Sequence, residues 1–250
     1  MLTVLDVEKR GLIVVINDLG GEQNKFFIEK NFIHLCMIYD QETSRQTANS
    51  LLQINAIKLN PKNPFTWASG WKSPIYCDNR IALSYPKTRR FLAEKIAEQA
   101  QSLYGEGYVV AGVATGAIGI GILVADVLNA PFIYVRPEPK SHGRLNQIEG
   151  QLDPDKKVLV IEDLISTGKS SLNAIKALRK EGVEVLGMLG LFDYGFELAV
   201  DNFKAEEIQL HTLSDYHHLI IEAKKSNYVE ASEISVLKSW RVSPSQWQAS

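Results

Sequence analysis

Residues 158–171 read VLVIEDLISTGKSS, and this stretch decides how the rest of the chain is interpreted. The apolar residues 158–161 predict a buried strand, and the hydroxyl-rich residues 164–170 predict a loop that leads into a helix. The N-terminus of a helix can bind an anion, because its first N–H groups have no partner and the helix dipole is positive there. Phosphate is the expected ligand. Gly168 would let the backbone approach this anion closely. Hydroxyl donors are available from Ser166, Thr167, Ser170 and Ser171.

Two adjacent acids, Glu162 and Asp163, separate the predicted strand from the loop. The segment differs from a nucleotide-binding GxxxxGK[ST] loop, because only one glycine falls within it. Open parallel sheets bind ligands at the carboxyl ends of their strands. Two carboxylates at that position suit a sugar diol, a Mg²⁺ ion held through water, or both. The alternative is an acidic strand end followed by an ordinary capped helix.

The stretch resembles the phosphoribosyl-pyrophosphate (PRPP) motif of the type I phosphoribosyltransferases. The resemblance implies that the hydroxyl loop holds the 5-phosphate of PRPP and that the acid pair meets the ribose hydroxyls. The PRPP-binding residues implied in this stretch are Glu162, Asp163, Leu164, Ile165, Ser166, Thr167, Gly168, Lys169 and Ser170. The motif is specific for the superfamily but does not select the nucleobase.

Composition limits the class of protein and its partners. A chain of 250 residues with 45% hydrophobic and 22% charged residues fits one globular domain with a small appendage. The net charge of −2 gives no reason to expect nucleic acid or an acidic membrane as a partner. Cys36 and Cys77 lack metal-ligand spacing and indicate a reducing compartment. The apolar run 12–16 is too short for a signal peptide or a membrane span, so a cytoplasmic protein is expected.

Residues 64–80, PFTWASGWKSPIYCDNR, predict a β-hairpin in which Ser69 and Gly70 form the turn. Beside the phosphate motif, SGWKSPIYCDNR resembles the N-terminal hood of the orotate phosphoribosyltransferases, where an SGxxSP-type hairpin covers the pyrimidine. The resemblance makes Tyr76 a candidate for packing against the base. It also suggests that polar contacts to the base come from Ser69, Lys72 and Ser73.

Strand and helix patterns alternate from residue 87 to residue 191, which predicts an α/β fold with a mainly parallel central sheet flanked by helices. The resemblance implies the type I phosphoribosyltransferase fold, with a small hood formed by residues 64–80 and the C-terminal segment. Small residues at 114–119, ATGAIG, follow a predicted strand. They could admit a diphosphate or allow tight helix–sheet packing, and the resemblance implies a pyrophosphate loop.

The chain ahead of this pattern is harder to interpret. Residues 1–36 are predicted to be an extension ahead of a phosphoribosyltransferase domain at 37–250. Residues 11–16 favour a strand, and residues 26–35 have helical spacing. A dispensable extension and an element that packs on the domain are both open alternatives.

Three other patterns give local predictions. A helix is predicted over 41–59, ended by Pro61 and Pro64. The aromatic residues at 192–196 and Phe203 are predicted to belong to the core or its rim rather than to contact a ligand. Residues 243–250 are predicted to be a fraying polar tail.

Residues 136–150, RPEPKSHGRLNQIEG, are polar and carry several cations. A solvated surface loop is the default interpretation. Cations that close over a departing pyrophosphate would act mainly in the transition state. The pattern resembles the catalytic loop of orotate phosphoribosyltransferases, and the positions that match are Arg136, Lys140 and His142. In that family the loop reaches the neighbouring subunit's active site, so the resemblance implies a homodimer with shared sites.

Several positions depart from the best-known bacterial pattern of that family, which has cations there. Lysines are replaced by Pro137, Ala68 and Gly116. An arginine expected after the next strand is absent, since residues 191–195 read LFDYG. These losses indicate a divergent subgroup, with ligand contacts that differ in detail.

Taken together, the resemblance implies transfer of the phosphoribosyl group from PRPP to orotate, giving orotidine 5′-monophosphate and pyrophosphate, with Mg²⁺ as cofactor. It implies catalytic roles for Asp163, Lys140 and His142. It implies orotate contacts from Ser166, Tyr76 and Ser73, and no protein ligands dedicated to a metal. The alternatives are a phosphoribosyltransferase for another nucleobase and a non-catalytic PRPP-binding regulator.

Overall fold

The computed structural model describes the backbone of residues 2–7, 12–18, 23–29 and 36–37, and all atoms of residues 38–67, 69–139 and 147–248. The strands are β1 Leu2–Val7, β2 Leu12–Asp18, β3 Gln23–Glu29, β4 Cys36–Ile38, β5 Ile57–Leu59, β6 Phe65–Thr66, β7 Lys72–Ser73, β8 Ile75–Cys77, β9 Val109–Val113, β10 Phe132–Val135, β11 Ile148–Glu149, β12 Val158–Ile165, β13 Val185–Asp193 and β14 Leu210–Asp215. The helices are α1 Gln41–Gln53, α2 Pro86–Tyr104, α3 Ala117–Leu128, α4 Lys169–Lys180, α5 Glu197–Ala205, α6 Tyr216–Lys225 and α7 Ile234–Val242. Short 3-10 helices span Asn79–Ser84 and Ala231–Glu233.

A seven-stranded sheet organises the domain, in the order β11-β10-β9-β12-β13-β14-β4. Every neighbouring pair is parallel except β10 with β11. Helices α1, α2 and α3 contact one another in succession, α4 contacts α5, and both groups pack on the sheet. The α/β prediction is therefore confirmed. Within the described residues, no helix has both the length and the apolar character that crossing a bilayer requires.

The two central strands explain why the sheet is parallel and buried. All five residues of β9 are buried, and so are the first five residues of β12. Strands covered by helices on both faces have this continuous apolar character, because neither face meets water. The carboxyl ends of β9, β12 and β13 consequently meet at one edge of the sheet, and the residues that follow them lie close together.

Two predicted boundaries were wrong in instructive ways. The helix predicted over 41–59 ends at Gln53, because Asn55 takes a left-handed conformation (φ 56°) and β5 then pairs with β8. The strand predicted over 158–161 continues to Ile165. Its ladder with β13 pairs Glu162 with Gly190, so both acids lie within the strand rather than after it.

The N-terminal segment includes an antiparallel sheet in the order β1-β2-β3. The strand predicted at 11–16 corresponds to β2, whereas the helical spacing predicted at 26–35 is wrong for residues 26–29, which belong to β3. Residues 30–35 lie outside the described residues. The predicted domain boundary at 36/37 falls within β4, whose Cys36 and Met37 both pair with β14.

The hairpin predicted over 64–80 is confirmed for residues 65–73, whereas residues 75–77 pair with β5 and residue 79 begins a 3-10 helix. β6 and β7 pair across a turn in which Gly70 has φ 87°, and the Trp67 N–H donates to the Trp71 carbonyl at 2.9 Å. Helix α7 holds this hairpin on the domain, since the fully buried Trp240 donates from Nε1 to the Lys72 carbonyl at 3.2 Å. The polar tail predicted from residue 243 is only partly correct, because Trp247 packs against the core.

Candidate active site

The acid pair lies at the carboxyl-terminal part of β12, beside the first turn of α4. Glu162 is 4% exposed, and its two oxygens accept hydrogen bonds from the Ser171 hydroxyl at 2.8 Å and from the Asp163 N–H at 3.0 Å. Ser171 is itself buried. The hydroxyl that the sequence offered as a phosphate donor therefore orients Glu162 instead.

Burial determines the electrostatics of this pair. Burial raises the pKa of Glu162 well above its usual range, and the adjacent charge of Asp163 raises it further. Burial also raises the pKa of Asp163, although its hydrogen bond with Glu162 acts in the opposite direction. Burial therefore favours the protonated form of this pair, and a bound cation would favour its ionised form.

The loop that follows is built to leave the start of α4 open. Gly168 precedes the helix with φ 74°, and a Cβ there would also lie 2.7 Å from the Phe203 ring. The N-cap makes no side-chain hydrogen bond, so the N–H groups of the first turn, at Lys169 and Ser170, are available to an anion. Asn202 of α5 fixes the loop by donating to the Thr167 carbonyl at 2.9 Å.

The predicted PRPP-binding residues of this loop divide into two groups. Ser166, Thr167, Lys169 and Ser170 line an open cleft of about 1020 Å³. Leu164 and Ile165 instead direct their side chains into the core, so only their backbone could contact PRPP. The cleft extends to Pro137 and Glu138, where the predicted basic loop begins.

Asp163 is the point where three separate elements meet. A Cβ added to Gly116, in the predicted pyrophosphate loop, would collide with the Asp163 carboxylate. Asn79, at the end of the hood segment, donates from Nδ2 to the Asp163 carbonyl at 2.6 Å. The Arg80 guanidinium lies within electrostatic range of Asp163 and forms a bidentate pair with Asp78 at 2.7 and 2.9 Å. The sequence did not single out Asn79 or Arg80, because nothing local marks residues of a hairpin as neighbours of a strand 84 positions later.

The basic loop leaves and rejoins the sheet at one point. The Arg136 N–H donates to the Gln147 carbonyl at 2.8 Å, and Gln147 Nε2 donates back to the Arg136 carbonyl at 2.9 Å. The Arg136 guanidinium lies 3.4 Å from a Glu149 carboxylate oxygen. The predicted catalytic residues Lys140 and His142 lie outside the described residues.

The hood residues predicted to contact orotate differ in availability. The Ser73 hydroxyl is buried and already bonded within the hairpin, donating to the Ile75 carbonyl at 2.8 Å and accepting from the Ile75 N–H at 3.2 Å. Tyr76 is 42% exposed, and its ring lies 5.7 Å from that of Phe65. Tyr76 is thus free to pack against a ligand, whereas Ser73 shapes the hairpin.

The aromatic residues at the end of β13, in the segment that follows it and at Phe203 belong to the core, as predicted. Phe192, Tyr194, Phe196 and Phe203 are all buried. Tyr194 lies between the hood and the C-terminal helix, with ring centroids 5.2 Å from Trp67 and 5.7 Å from Trp240. The cluster therefore positions the hood over the end of the sheet.

The donor set near the acid pair fits a cation that brings most of its own ligands. Within the described residues, no three His, Cys, Asp or Glu side chains are grouped to hold a metal. Mg²⁺ usually binds through one or two carboxylates, water and substrate phosphates rather than in an all-protein cage. Glu162 and Asp163 could supply these carboxylates, since a bound cation would stabilise the ionised form that burial disfavours.

Comparison with known proteins identifies the family. The phosphoribosyl transferase domain model matches residues 84–246. The chain is 52% identical over 200 residues to orotate phosphoribosyltransferase of Porphyromonas gingivalis, covering 80% of this chain and 95% of the relative. It is 48% identical over 203 residues to that of Listeria innocua, covering 81% and 97%.

Solved structures agree with this match. The crystal structure of orotate phosphoribosyltransferase from Aeropyrum pernix superposes with a TM-score of 0.64 at 28% identity, covering 73% of this chain and 99% of that one. The structure of Leishmania donovani UMP synthase superposes with a TM-score of 0.68 at 26% identity, covering 83% of this chain but 43% of that longer one. By sequence and by fold, this chain belongs to the phosphoribosyltransferase family and, within it, to the orotate phosphoribosyltransferases.

Proposed function

We propose that the chain transfers the 5-phosphoribosyl group of PRPP to orotate, giving orotidine 5′-monophosphate and pyrophosphate in de novo pyrimidine biosynthesis. The observation that carries this proposal is the meeting of the phosphate loop, Gly116 and Asn79 at Asp163. The relatives at 52% and 48% identity that are named orotate phosphoribosyltransferases support the choice of base.

PRPP binding follows from the end of β12 and the start of α4. The open N–H groups at the start of α4, with Ser166, Thr167 and Ser170, would hold the 5-phosphate. Glu162 and Asp163 would accept hydrogen bonds from the ribose hydroxyls. This arrangement fixes the sugar at two ends, so its C1 atom is presented to the hood.

The chemistry requires electrostatic stabilisation more than a covalent intermediate. When the bond between C1 and the pyrophosphate oxygen breaks, positive charge develops on the ribose and negative charge on the leaving group. The Asp163 carboxylate would favour the cationic sugar, and Glu162 would hold the hydroxyls beside it. Orotate needs little activation, since its ring nitrogen is acidic enough to react as an anion. Positioning of the two substrates supplies the rest.

Cations would stabilise the departing pyrophosphate. We assign this role to Lys140 and His142, with Arg136 at the base of the same loop. The absence of a side chain at Gly116 leaves room for the Asp163 carboxylate beside this loop, whose backbone N–H groups would contact the diphosphate. Mg²⁺ would be carried mainly by PRPP oxygens near Asp163 and Glu162, and it would neutralise charge on the pyrophosphate when bound.

Orotate would lie between the phosphate loop and the hood. Ser166 offers a hydroxyl from the loop, and Tyr76 offers an exposed ring from the hairpin. We assign Ser73 an indirect role, since its hydroxyl is used in the turn that presents Tyr76.

Assembly and domain limits are also part of the proposal. We propose a homodimer in which Lys140 and His142 serve the partner's site, in the cytoplasm. Mixing Lys140→Ala and Asp163→Asn subunits should then restore part of the lost turnover, and no restoration would contradict shared sites. We further propose that residues 37–250 carry the activity and that residues 1–36 are an extension. A chain that starts at Met37 should then keep its orotate turnover, and loss of turnover would contradict this division.

The test is the loss of orotate absorbance in the ultraviolet after addition of PRPP and Mg²⁺, with uracil, hypoxanthine and adenine in parallel. Consumption of orotate alone is the expected result. Turnover of another base instead would contradict the assignment of orotate. PRPP binding without turnover of any base would indicate a regulator.

A further inference from the structure

Orotate carries a carboxylate that uracil lacks. A site that selects orotate must therefore offset the free-energy cost of desolvating that charge. A guanidinium does so best, because its N–H fork matches a carboxylate in two parallel hydrogen bonds. The inference below rests on the proposed function, because it concerns how orotate is chosen. The question is which cation of this chain is placed to do it.

The site region offers few cations, and most have partners or face the phosphate-loop cleft, as Lys169 does. The loop at 191–195, LFDYG, contains none. Lys72 donates to the Thr66 hydroxyl at 2.8 Å on the exposed face of the hairpin. Arg80 is held in its bidentate pair with Asp78. Arg241 lies beside the end of β13. In the part of the chain that the structure describes, no carboxylate oxygen lies within 4.0 Å of its guanidinium nitrogens.

Helix α7 brings Arg241 to this position by anchoring the residue before it. Trp240 is fully buried, donates to the Lys72 carbonyl, and packs with ring centroids 5.5 Å from Trp67 and 5.7 Å from Tyr194. Arg241 then donates from Nη1 to the Gly195 carbonyl at 2.9 Å. The cation missing from residues 191–195 is thus supplied to the same place from 46 residues further along the chain.

A cleft connects this guanidinium with the predicted substrate site. It has a volume of about 260 Å³ and shares Thr167 and Leu198 with the phosphate-loop cleft. Its other lining residues include the hood residue Trp71, Gly195, Glu197 and Arg241, so the guanidinium would also offset the acidic charge of Glu197 toward an anion. The contact with Gly195 uses one of five N–H donors, so Nε and Nη2 are left for an anion. Arg241 is itself exposed, which allows the fork to turn toward the cleft.

We propose that Arg241 is the residue that determines specificity for orotate by binding its carboxylate. The guanidinium is steadied by Gly195 and approaches the base from the side of α7, between the hood and the phosphate loop. Packing of the hood and recognition of the carboxylate are then linked, since Trp240 and Arg241 are consecutive residues of one helix.

The test compares Arg241→Gln with the matched control Lys238→Gln, an exposed cation on the same helix. Arg241→Gln should raise the KM for orotate roughly 10- to 100-fold, as expected for loss of hydrogen bonds to a charged group. The KM for PRPP and the inhibition constant of uracil, which has no carboxylate, should stay unchanged. Lys238→Gln should behave as wild type, and Arg241→Lys should recover part of the orotate affinity.

Three outcomes would overturn the proposal. A raised KM for PRPP with an unchanged KM for orotate would mean that Arg241 serves a phosphate. Equal loss of affinity for orotate and uracil would mean that it only supports the hood. If Arg241→Gln does not fold, Arg241→Lys and Arg241→Ala are measured in its place. Wild-type affinity for orotate in Arg241→Ala, with an unchanged preference for orotate over uracil, would refute the proposal. Failure of the proposed function is distinguishable, because wild type would then not consume orotate.

Discussion

Replacement of Ser171 by alanine isolates the contact that orients Glu162. The Ser171 hydroxyl donates to Glu162 Oε2 at 2.8 Å, and both residues are buried. A hydrogen bond to an ionised group contributes about 1.5–3 kcal/mol, whereas one to a neutral group contributes about 1 kcal/mol. Because burial raises the pKa of Glu162 and so favours its neutral form, Ser171→Ala should cost only about 1 kcal/mol of unfolding free energy. The larger loss should appear in kcat/KM, which we expect to fall roughly 10- to 100-fold.

The pH dependence gives this prediction a second readout. The Ser171 hydrogen bond lowers the pKa of Glu162 against the raising effect of burial. Its removal raises that pKa, so the ionised form appears at higher pH and the acidic limb of the kcat/KM profile moves to higher pH.

The assay is orotate consumption at a series of pH values, and urea denaturation measures stability. Ser239→Ala, on the exposed face of α7, is the matched control. An unchanged kcat/KM and an unmoved acidic limb in the folded variant would refute the role given to Ser171.

Two further substitutions test the elements around the site. Gly168→Ala should destabilise the protein more than Gly182→Ala. Both glycines have positive φ, where an alanine costs about 1–2 kcal/mol, but only at Gly168 would the new methyl group also meet the Phe203 ring. Equal losses in urea denaturation would show that the Phe203 contact has no effect. Trp240→Ala should lower the unfolding free energy by about 3–5 kcal/mol and raise the KM for orotate, because this buried ring packs against the hood. Unchanged orotate affinity in the folded variant would contradict the link between α7 and the hood.

The sequence predicted what depends on local pattern. The run of apolar residues, acids, hydroxyls and glycine at 158–171 is a contiguous unit, so its strand, open helix start and acid pair could all be inferred. The hairpin was equally local, because Ser69 and Gly70 supply the turn chemistry at the point where the chain reverses. Burial of the residues after β13 followed from their aromatic character.

Contacts between distant segments could not be predicted in this way. Asn79 reaches Asp163 across 84 positions, and Trp240 reaches Lys72 across 168. Ser171 was assigned to phosphate because a serine in the first turn has the same appearance whether it faces a ligand or a buried acid. The end of α1 was misplaced because Asn55 in a left-handed conformation stops the helix before the prolines do.

The most direct test of the account is the orotate turnover of Asp163→Asn with saturating PRPP and Mg²⁺. Asparagine keeps the size of the side chain and the backbone carbonyl that accepts from Asn79, so the fold should persist. The account predicts a native denaturation curve and a loss of turnover of roughly 10²- to 10³-fold, the usual effect of removing a group aimed at transition-state charge. Turnover close to that of wild type in the folded variant would contradict the claim that the chemistry takes place at Asp163.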